Sequence, residues 1–260
     1  MKKKHDFNSY YEELFSDRWP SLKQALLEER KYVRYEKDLL KPYFLDEASV
    51  IAAETVDVHP GEYVLDLCAA PGGKTLVLAS QLRGEGVLVA NERSRTRRAR
   101  LIKVLEEHLP ENTADMVTVT GHDAKTWGLY QKNCYDKVLL DVPCSSERHV
   151  FTSPRHFKEW SPSRTKRLAE QAAAMLLSAL MTVKEGGVIL YSTCALSPAE
   201  NDGVIRKLLK KKGEFVKLIP VRERWGEKTD FGLHILPDTA EGRGPLYICK
   251  IRKLPDSLSS

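Results

Sequence analysis

Short apolar runs alternate with longer amphipathic segments throughout the chain beyond Gly61. This alternation is typical of a parallel β-sheet whose strands are connected by crossover helices. We therefore expect an α/β fold with a Rossmann-like, doubly wound, mostly parallel seven-stranded sheet, which binds ligands at the carboxyl ends of its strands. The predicted strands are 63–68, 87–92, 116–121, 135–142, 188–193, 214–219 and 246–252, and the predicted helices are 74–82, 95–108, 165–183 and 198–211, the last with Ser197 as its N-cap.

The size and composition of the chain predict a globular protein with one large domain. Its 260 residues are 42% hydrophobic and 30% charged, which suffices for a single core. The longest apolar runs are far shorter than a membrane span, and no apolar segment follows the amino-terminal lysines, so we expect a cytoplasmic protein. The net charge of +5 permits a polyanionic partner without requiring one. Five scattered cysteines predict neither a disulfide framework nor a metal site.

The first part of the chain lacks the strand pattern of the remainder. Charged residues surround an apolar face that predicts helix over about the first 45 residues, formed by Leu14, Leu22, Leu26, Leu27 and Tyr32. We divide the chain into a short helical N-terminal extension (1–48), a ligand-binding domain (49–254) and a tail (255–260).

The segment YVLDLCAAPGGKT (63–75) combines an apolar strand, a turn of small residues and the start of a helix. With so little side chain in the turn, a ligand can approach the backbone and the helix N-terminus closely. The spacing fits neither GxGxxG nor a Walker P-loop. Small residues also serve tight strand-to-helix packing, and this segment alone does not separate the two interpretations. The candidate ligand-binding residues here are Cys68, Ala69, Ala70, Pro71, Gly72, Gly73 and Lys74.

Two acidic residues continue the row of predicted strand ends. Glu92 follows Gly72 by 20 positions, where an acidic side chain in such folds accepts hydrogen bonds from ribose hydroxyls. Asp123 lies just past the third strand, within reach of an adenine amino group, although alone it fits a loop cap equally well. Arg97 belongs to a basic segment that is equally typical of a solvated helix face. No arginine cluster is positioned to bind phosphate groups. The residues at these strand ends therefore favour S-adenosylmethionine over a dinucleotide or a nucleoside triphosphate.

Cys144 and Cys194 lie just beyond the fourth and fifth predicted strands. The carboxyl ends of adjacent parallel strands meet at one edge of a sheet, so both thiols should overlook the same cleft. At such positions a thiolate is accessible, whereas Cys68, Cys134 and Cys249 fit buried apolar positions within or beside strands.

A methyl donor beside two thiols points to methylation of carbon 5 of a pyrimidine, which is too weak a nucleophile to react unaided. A thiolate that adds to carbon 6 activates carbon 5, and a base then removes the carbon 5 proton so that the thiol leaves. Asp141, Lys74 and the cysteine pair supply the groups that this chemistry needs. Spacing alone does not decide which cysteine attacks.

The motifs LDLCAAPGGKT, DVPCSS and STCALSPAEN together resemble those of the Sun-domain family of RNA cytosine-5 methyltransferases, and the resemblance covers nearly the whole chain from KPYFLDEAS onward. It implies a class I S-adenosylmethionine-dependent methyltransferase domain. It also implies that Cys194 is the nucleophile and that Cys144 assists release of the methylated product. The cofactor would contact residues 68–74, Glu92, Arg97, Asp123 and Asp141, with Lys74 and Asp141 also near the target base.

Two positions depart from the family pattern. Leu45 stands where glutamine is usual, so no polar base contact is expected there, and Glu92 replaces the more frequent aspartate at the ribose position. Neither departure touches the cysteine chemistry.

Residues 7–32 are similar to the corresponding segment of a mitochondrial family member that methylates small-subunit ribosomal RNA. This similarity implies a ribosomal RNA substrate, free or within a ribosomal subunit. Because no arginine-rich presequence is present, we expect a bacterial cytoplasmic relative rather than an organellar precursor. The core, the N-terminal helices or an accessory protein would hold the RNA, with candidate basic stretches at 93–103, 164–167 and 207–212.

Three alternatives to a ribosomal RNA methyltransferase remain at this point. They are a ribosome-assembly factor that binds ribosomal RNA without turnover, a transfer RNA cytosine-5 methyltransferase, and a methyltransferase acting on a small molecule or a protein. The complete set of reacting side chains argues against the first. Oxygen and nitrogen acceptors need no thiol adduct, which argues against the last.

Overall fold

The computed structural model describes residues 6–255, so the first five residues and most of the predicted tail, 256–260, lie outside the described residues. The helices are α1 (Phe7–Phe15), α2 (Trp19–Leu27), α3 (Glu47–Thr55), α4 (Gly73–Leu82), α5 (Arg95–His108), α6 (Glu111–Ala114), α7 (Trp127–Tyr130), α8 (Glu147–Thr152), α9 (Pro154–Glu159), α10 (Pro162–Thr182) and α11 (Asp202–Lys212). The strands are β1 (Tyr32–Tyr35), β2 (Tyr43–Asp46), β3 (Tyr63–Asp66), β4 (Val87–Asn91), β5 (Val117–Thr120), β6 (Tyr135–Asp141), β7 (Val183–Thr193), β8 (Val216–Ile219), β9 (Gly226–Lys228), β10 (Leu233–Ile235) and β11 (Leu246–Lys253).

Five neighbouring strands, in the order β5-β4-β3-β6-β7, run parallel and form the half of the sheet that carries the predicted ligand edge. Helices cover both faces, because successive residues of a buried strand point to opposite sides. On β6, Leu139 packs in the core beneath α4 and α5, whereas Val138 and Leu140 pack in the core beneath α10 and α11. The expected Rossmann-like, doubly wound α/β fold is confirmed.

The predicted count of seven strands is wrong, because the main sheet has nine strands within residues 6–255. All seven predicted strands are present. β11 pairs antiparallel with β7, and the two missed strands, β9 and β10, extend the sheet from β11 in further antiparallel pairs. Each missed strand has three residues, which is too short to give an alternating pattern in the sequence.

The helix predicted through about residue 45 ends at Leu27, and the following segment forms a β-hairpin instead. In this hairpin Tyr32 pairs with Asp46, and Tyr35 pairs with Tyr43. Tyr32 falls at helical spacing from the leucines, but the tyrosines, valine and phenylalanine of β1 and β2 favour extended backbone. The prediction therefore followed helical periodicity past the true end of α2.

The predicted start of α11 is also wrong. The helix begins at Asp202, four residues after Pro198, and Ser197 is not its N-cap. The intervening turn is tied instead to the strand end before it. Asn201 accepts a hydrogen bond from Thr193 Oγ1 (2.6 Å) and donates one to the Ala195 carbonyl (3.0 Å). These two hydrogen bonds connect the turn to the residues on either side of Cys194.

The N-terminal helices pack closely on the rest of the protein. One cluster joins side chains of α1 and α2 to side chains from α8, the loops after α9 and β7, and the loop after β10, and it comprises Phe7, Tyr11, Trp19, Leu22, Leu26, Val150, Trp160, Leu196 and Leu236. The boundary proposed at 48/49 falls inside the first turn of α3, so the division into extension and domain stays a prediction. Among residues 6–255, no helix combines the length and apolar composition that crossing a bilayer requires.

Two adjacent leucines of α2 test this packing. Leu26 is fully buried, whereas Leu27 is 57% exposed. We expect Leu26→Ala to lower the free energy of unfolding by about 2–5 kcal/mol, because it removes buried methyl groups and leaves a cavity. The matched control Leu27→Ala should change it by less than about 0.5 kcal/mol. Urea unfolding of both variants measures the difference, and an equally small effect of the two substitutions would show that Leu26 does not contribute to the core.

Candidate active site

A cavity of about 490 Å³ lies at the carboxyl ends of β3, β6 and β7. Ligand sites of proteins commonly have this size and position. Most of the predicted catalytic and cofactor residues line it: Cys68, Ala70, Pro71, Lys74, Arg97, Asp141, Cys144 and Cys194. Ala69 and Gly73 line a smaller adjoining cavity of about 90 Å³, which shares Cys68, Ala70, Pro71, Lys74 and Asp141 with the first.

The two glycines of the small-residue turn have a packing role. Gly72 has φ +120°, in the region that favours glycine, and a Cβ there would lie 3.0 Å from Val104 Cγ1. A Cβ on Gly73 would lie 2.9 Å from the Tyr43 ring. Tight packing against α5 and β2 therefore accounts for glycine at both positions. The packing also brings the N-terminus of α4, with Lys74, to the wall of the cavity.

Glu92 and Asp123 do not line this cavity. The buried Glu92 accepts a hydrogen bond from the Ser94 N–H (2.7 Å), and its Oε2 lies 3.1 Å from Arg97 Nη1. Arg97 also donates to the Ala70 carbonyl (2.7 Å), so its guanidinium bridges Glu92 and the small-residue turn. Asp123 lines a separate groove beside β5 and α7, where Arg93 pairs with its carboxylate at 3.0 Å. The cofactor roles of both acids stay predictions.

Lys74 and Asp141 form an ion pair in the cavity wall, with 2.8 Å between Nζ and Oδ2. Lys74 also donates to Ser49 Oγ (3.1 Å), and Ser192 donates to Asp141 Oδ1 (2.8 Å). Burial acts to lower the pKa of Lys74, but the charge and hydrogen bond of Asp141, together with the nearby Cys194 and Asp66, more than offset it and raise that pKa. Lys74 therefore stays protonated at neutral pH and presents an ammonium donor beside the thiols.

The structure places Cys144 and Cys194 together, with 3.2 Å between their Sγ atoms. Cys144 follows β6 and Cys194 directly follows β7, so the parallel pairing of these strands aligns the two loops. Ser146 Oγ lies 3.4 Å from the Cys194 sulfur. The hydrogen bond from the Cys144 thiol lowers the pKa of Cys194, and Ser146 lowers it further, whereas the pKa of Cys144 is raised by the same contact. Cys194 is therefore the member of the pair that ionises first.

Several polar residues that support these groups were not predicted from the sequence. Ser49 and Ser192 fix the lysine–aspartate pair, and Ser145, Glu147 and Glu200 form a buried cluster behind the cysteines. For Ser145, Glu147 and Glu200, their positions within the cysteine motifs PCSSE and TCALSPAE were the available signal. The predicted burial of Cys134 is wrong, because its side chain is exposed in the loop before β6.

The fold is that of class I S-adenosylmethionine-dependent methyltransferases. Within that class the chain belongs to the family described as 16S rRNA methyltransferase RsmB/F, whose model matches residues 53–252. The Sun-domain resemblance is confirmed by this match.

Individual relatives agree with the family match. The chain is 35% identical to the 5-cytosine rRNA methyltransferase NSUN4 of Xenopus tropicalis, over 83% of this chain and 57% of that protein. It is 34% identical to the mitochondrial tRNA (cytosine(34)-C(5))-methyltransferase of Danio rerio, over 82% and 60%. The crystal structure of NSun6 from Pyrococcus horikoshii with SFG superposes with a TM-score of 0.72 at 25% identity, over 85% and 55%. The chain thus spans less than two thirds of the length of each.

Proposed function

We propose that this protein is an S-adenosylmethionine-dependent RNA (cytosine-5-)-methyltransferase acting on ribosomal RNA. The observation that carries the proposal is the Cys144–Cys194 pair, which lies in one cavity with the Lys74–Asp141 ion pair and the small-residue turn. Two adjacent thiols suit a reaction that needs both a nucleophile and a proton acceptor. Methylation of an oxygen or nitrogen atom needs no thiol nucleophile, because these acceptors are already nucleophilic.

Acceptor atoms near the turn fit S-adenosylmethionine. Asp66, at the end of β3, lines the smaller cavity, and its buried Oδ1 has no hydrogen-bond partner among the described residues. Glu92 Oε2 likewise accepts no hydrogen bond within residues 6–255, although Arg97 lies beside it. The ammonium and ribose hydroxyls of the cofactor are donors that such oxygens accept. When bound, the cofactor supplies the methyl group.

Catalysis begins at Cys194. Its thiolate, stabilised by the Cys144 thiol and Ser146, attacks carbon 6 of the cytosine and forms an S–C6 bond. The electron pair of the C5–C6 double bond shifts to carbon 5, which then forms the bond to the methyl group. The Lys74–Asp141 pair faces the same cavity, where it stabilises the charge that develops on the ring.

Release requires a base. Once Cys194 is bonded to carbon 6, the adjacent Cys144 thiol gives its proton to solvent in the cavity, and the resulting thiolate accepts the proton from carbon 5. The C5–C6 double bond then forms again, and the S–C6 bond breaks to return the Cys194 thiolate. Because the sulfur must reach carbon 6 from one face of the ring, the target base is flipped out of its stack.

Ribosomal RNA is the favoured substrate, because the family description names 16S rRNA and NSUN4 is described as acting on rRNA. Transfer RNA is the second candidate, since a relative of nearly equal identity is named for it. An accessory protein and a bacterial cytoplasmic setting are further parts of this proposal.

The proposal is tested with radiolabelled S-adenosylmethionine and unmodified bacterial ribosomal RNA, free and in subunits, with transfer RNA in parallel. Digestion to nucleosides should give labelled 5-methylcytidine from small-subunit ribosomal RNA. Labelled 5-methylcytidine from transfer RNA alone would identify transfer RNA, rather than ribosomal RNA, as the substrate. Cofactor binding without transfer to any RNA would contradict the proposed activity and favour an assembly factor.

A further inference from the structure

Two carboxylates lie buried directly behind the cysteine pair. Glu147 and Glu200 are 0% and 1% exposed. The hydroxyl oxygen of Ser145 makes hydrogen-bond contacts to Oε1 of both. Like charges placed so close in a dry interior are costly unless a proton separates them.

The number of hydrogens available for donation shows which carboxyl group carries the proton. The Ser145 hydroxyl has one hydrogen and can donate to only one carboxylate, so the other must donate to Ser145. Glu147 already accepts from the Tyr11 hydroxyl at Oε1 and from the Leu196 N–H (2.8 Å) at Oε2, which suits an ionised carboxylate. Glu200 accepts from the Ser145 N–H (2.9 Å) at Oε2, and among residues 6–255 its Oε1 is hydrogen-bonded to the Ser145 hydroxyl alone. Glu200 is therefore the protonated partner.

The charges around Glu200 favour the same assignment. Burial, and after it the negative charge of Glu147, raise the pKa of Glu200 to about 8. The hydrogen bonds from Ser145 act in the opposite direction without cancelling the effect. One proton on the pair at neutral pH agrees with the donor count.

Each carboxyl group comes from the loop of one cysteine and binds the loop of the other cysteine. Glu147 lies three residues after Cys144 and binds the backbone of the Cys194 loop through the Leu196 N–H. Glu200 lies on the turn after Cys194 and binds the Cys144 loop through the Ser145 N–H. The loops are thus held to each other from both sides.

We infer that Glu147 and Glu200 are positioning residues that share one proton, carried by Glu200, and hold the Cys144 and Cys194 thiols in contact. Only the expected effect of these residues on methyl transfer rests on the proposed function. The shared proton and the contact between the thiols are properties of the free protein.

Two isosteric substitutions distinguish the protonated Glu200 from the ionised Glu147. In Glu200→Gln the amide oxygen accepts from the Ser145 N–H and the amide nitrogen donates to Ser145 Oγ, which reproduces the protonated carboxyl. In Glu147→Gln either orientation of the amide leaves the Leu196 N–H or the Tyr11 hydroxyl without an acceptor, a loss on the order of tenfold or more in any equilibrium that needs the intact cluster.

The test measures the rate of iodoacetamide alkylation at Cys194, located by peptide mass spectrometry, with thermal unfolding as a check on folding. We expect Glu200→Gln to stay within about threefold of the parent protein and Glu147→Gln to be at least about tenfold slower. Equal slowing by both substitutions would overturn the inference.

Infrared spectroscopy of the Glu200→Gln protein gives a decision even where Glu147→Gln does not fold. The parent-minus-variant difference spectrum should show the loss of the carbonyl stretch of one buried protonated carboxyl group. Persistence of this stretch in the variant would place the proton elsewhere and overturn the assignment. Neither readout uses RNA or a methyl donor, so failure of the proposed methyltransferase activity is scored separately.

Discussion

Replacing Cys194 with alanine is expected to abolish methyl transfer, with a loss of at least about 10⁴-fold in turnover. Without the S–C6 bond, carbon 5 of cytosine is too weak a nucleophile to take the methyl group. The Cys194 side chain lies beside Cys144, Ser146 and the Lys74–Asp141 pair, so the substitution removes the attacking sulfur from a site that is otherwise retained. Turnover is measured by transfer of labelled methyl groups to RNA.

The matched control for this loss is Cys134→Ala. Cys134 is exposed in the loop before β6 and does not line the cavity, so its substitution should leave turnover unchanged. Calorimetry should give the same affinity for S-adenosylmethionine in both variants. Substantial turnover by Cys194→Ala would rule out this residue as the nucleophile.

Replacing Cys144 with alanine is expected to trap the enzyme on its RNA. The carbon 5 proton then has no thiolate to accept it, so the S–C6 bond cannot break, and turnover should fall by roughly 10²- to 10⁴-fold. A protein–RNA complex that survives denaturing electrophoresis measures the trapped adduct. The double variant lacking both thiols should give no such complex.

The same substitution should also change the ionisation of Cys194. The hydrogen bond from Cys144 is the largest cause of the lowered pKa of Cys194, so its removal should raise that pKa. Alkylation of Cys194 in Cys144→Ala should therefore require more alkaline solution than in the parent protein. Normal turnover by Cys144→Ala without a stable protein–RNA complex would contradict the role of Cys144 in product release.

The sequence predicted the part of the fold that depends on regular patterns. Buried parallel strands such as β6 give continuous apolar runs, and this pattern identified all the longer strands of the sheet. The hairpin of β1 and β2 and the three-residue strands β9 and β10 were missed, because tertiary contacts rather than local periodicity decide such short segments.

The site was predictable where it depends on strand ends. Cys144 and Cys194 meet because adjacent parallel strands end at one edge of the sheet, a rule that applies from the strand pattern of the sequence alone. The Arg97 bridge to Glu92 and the shared serine of Glu147 and Glu200 depend on side-chain directions and on backbone N–H groups distant in sequence. No spacing rule gives these contacts.

The central claim is that the Cys194 sulfur bonds to carbon 6 of the target cytosine. The parent protein should be incubated with S-adenosylmethionine and RNA in which cytidine is replaced by 5-fluorocytidine. The fluorine cannot leave carbon 5 as a proton does, so the adduct persists. Nuclease and protease digestion followed by tandem mass spectrometry then locates the bound nucleotide. We predict a nucleotide carrying a methyl group on the Cys194 peptide, whereas a nucleotide on Cys144 would contradict the assignment of the nucleophile.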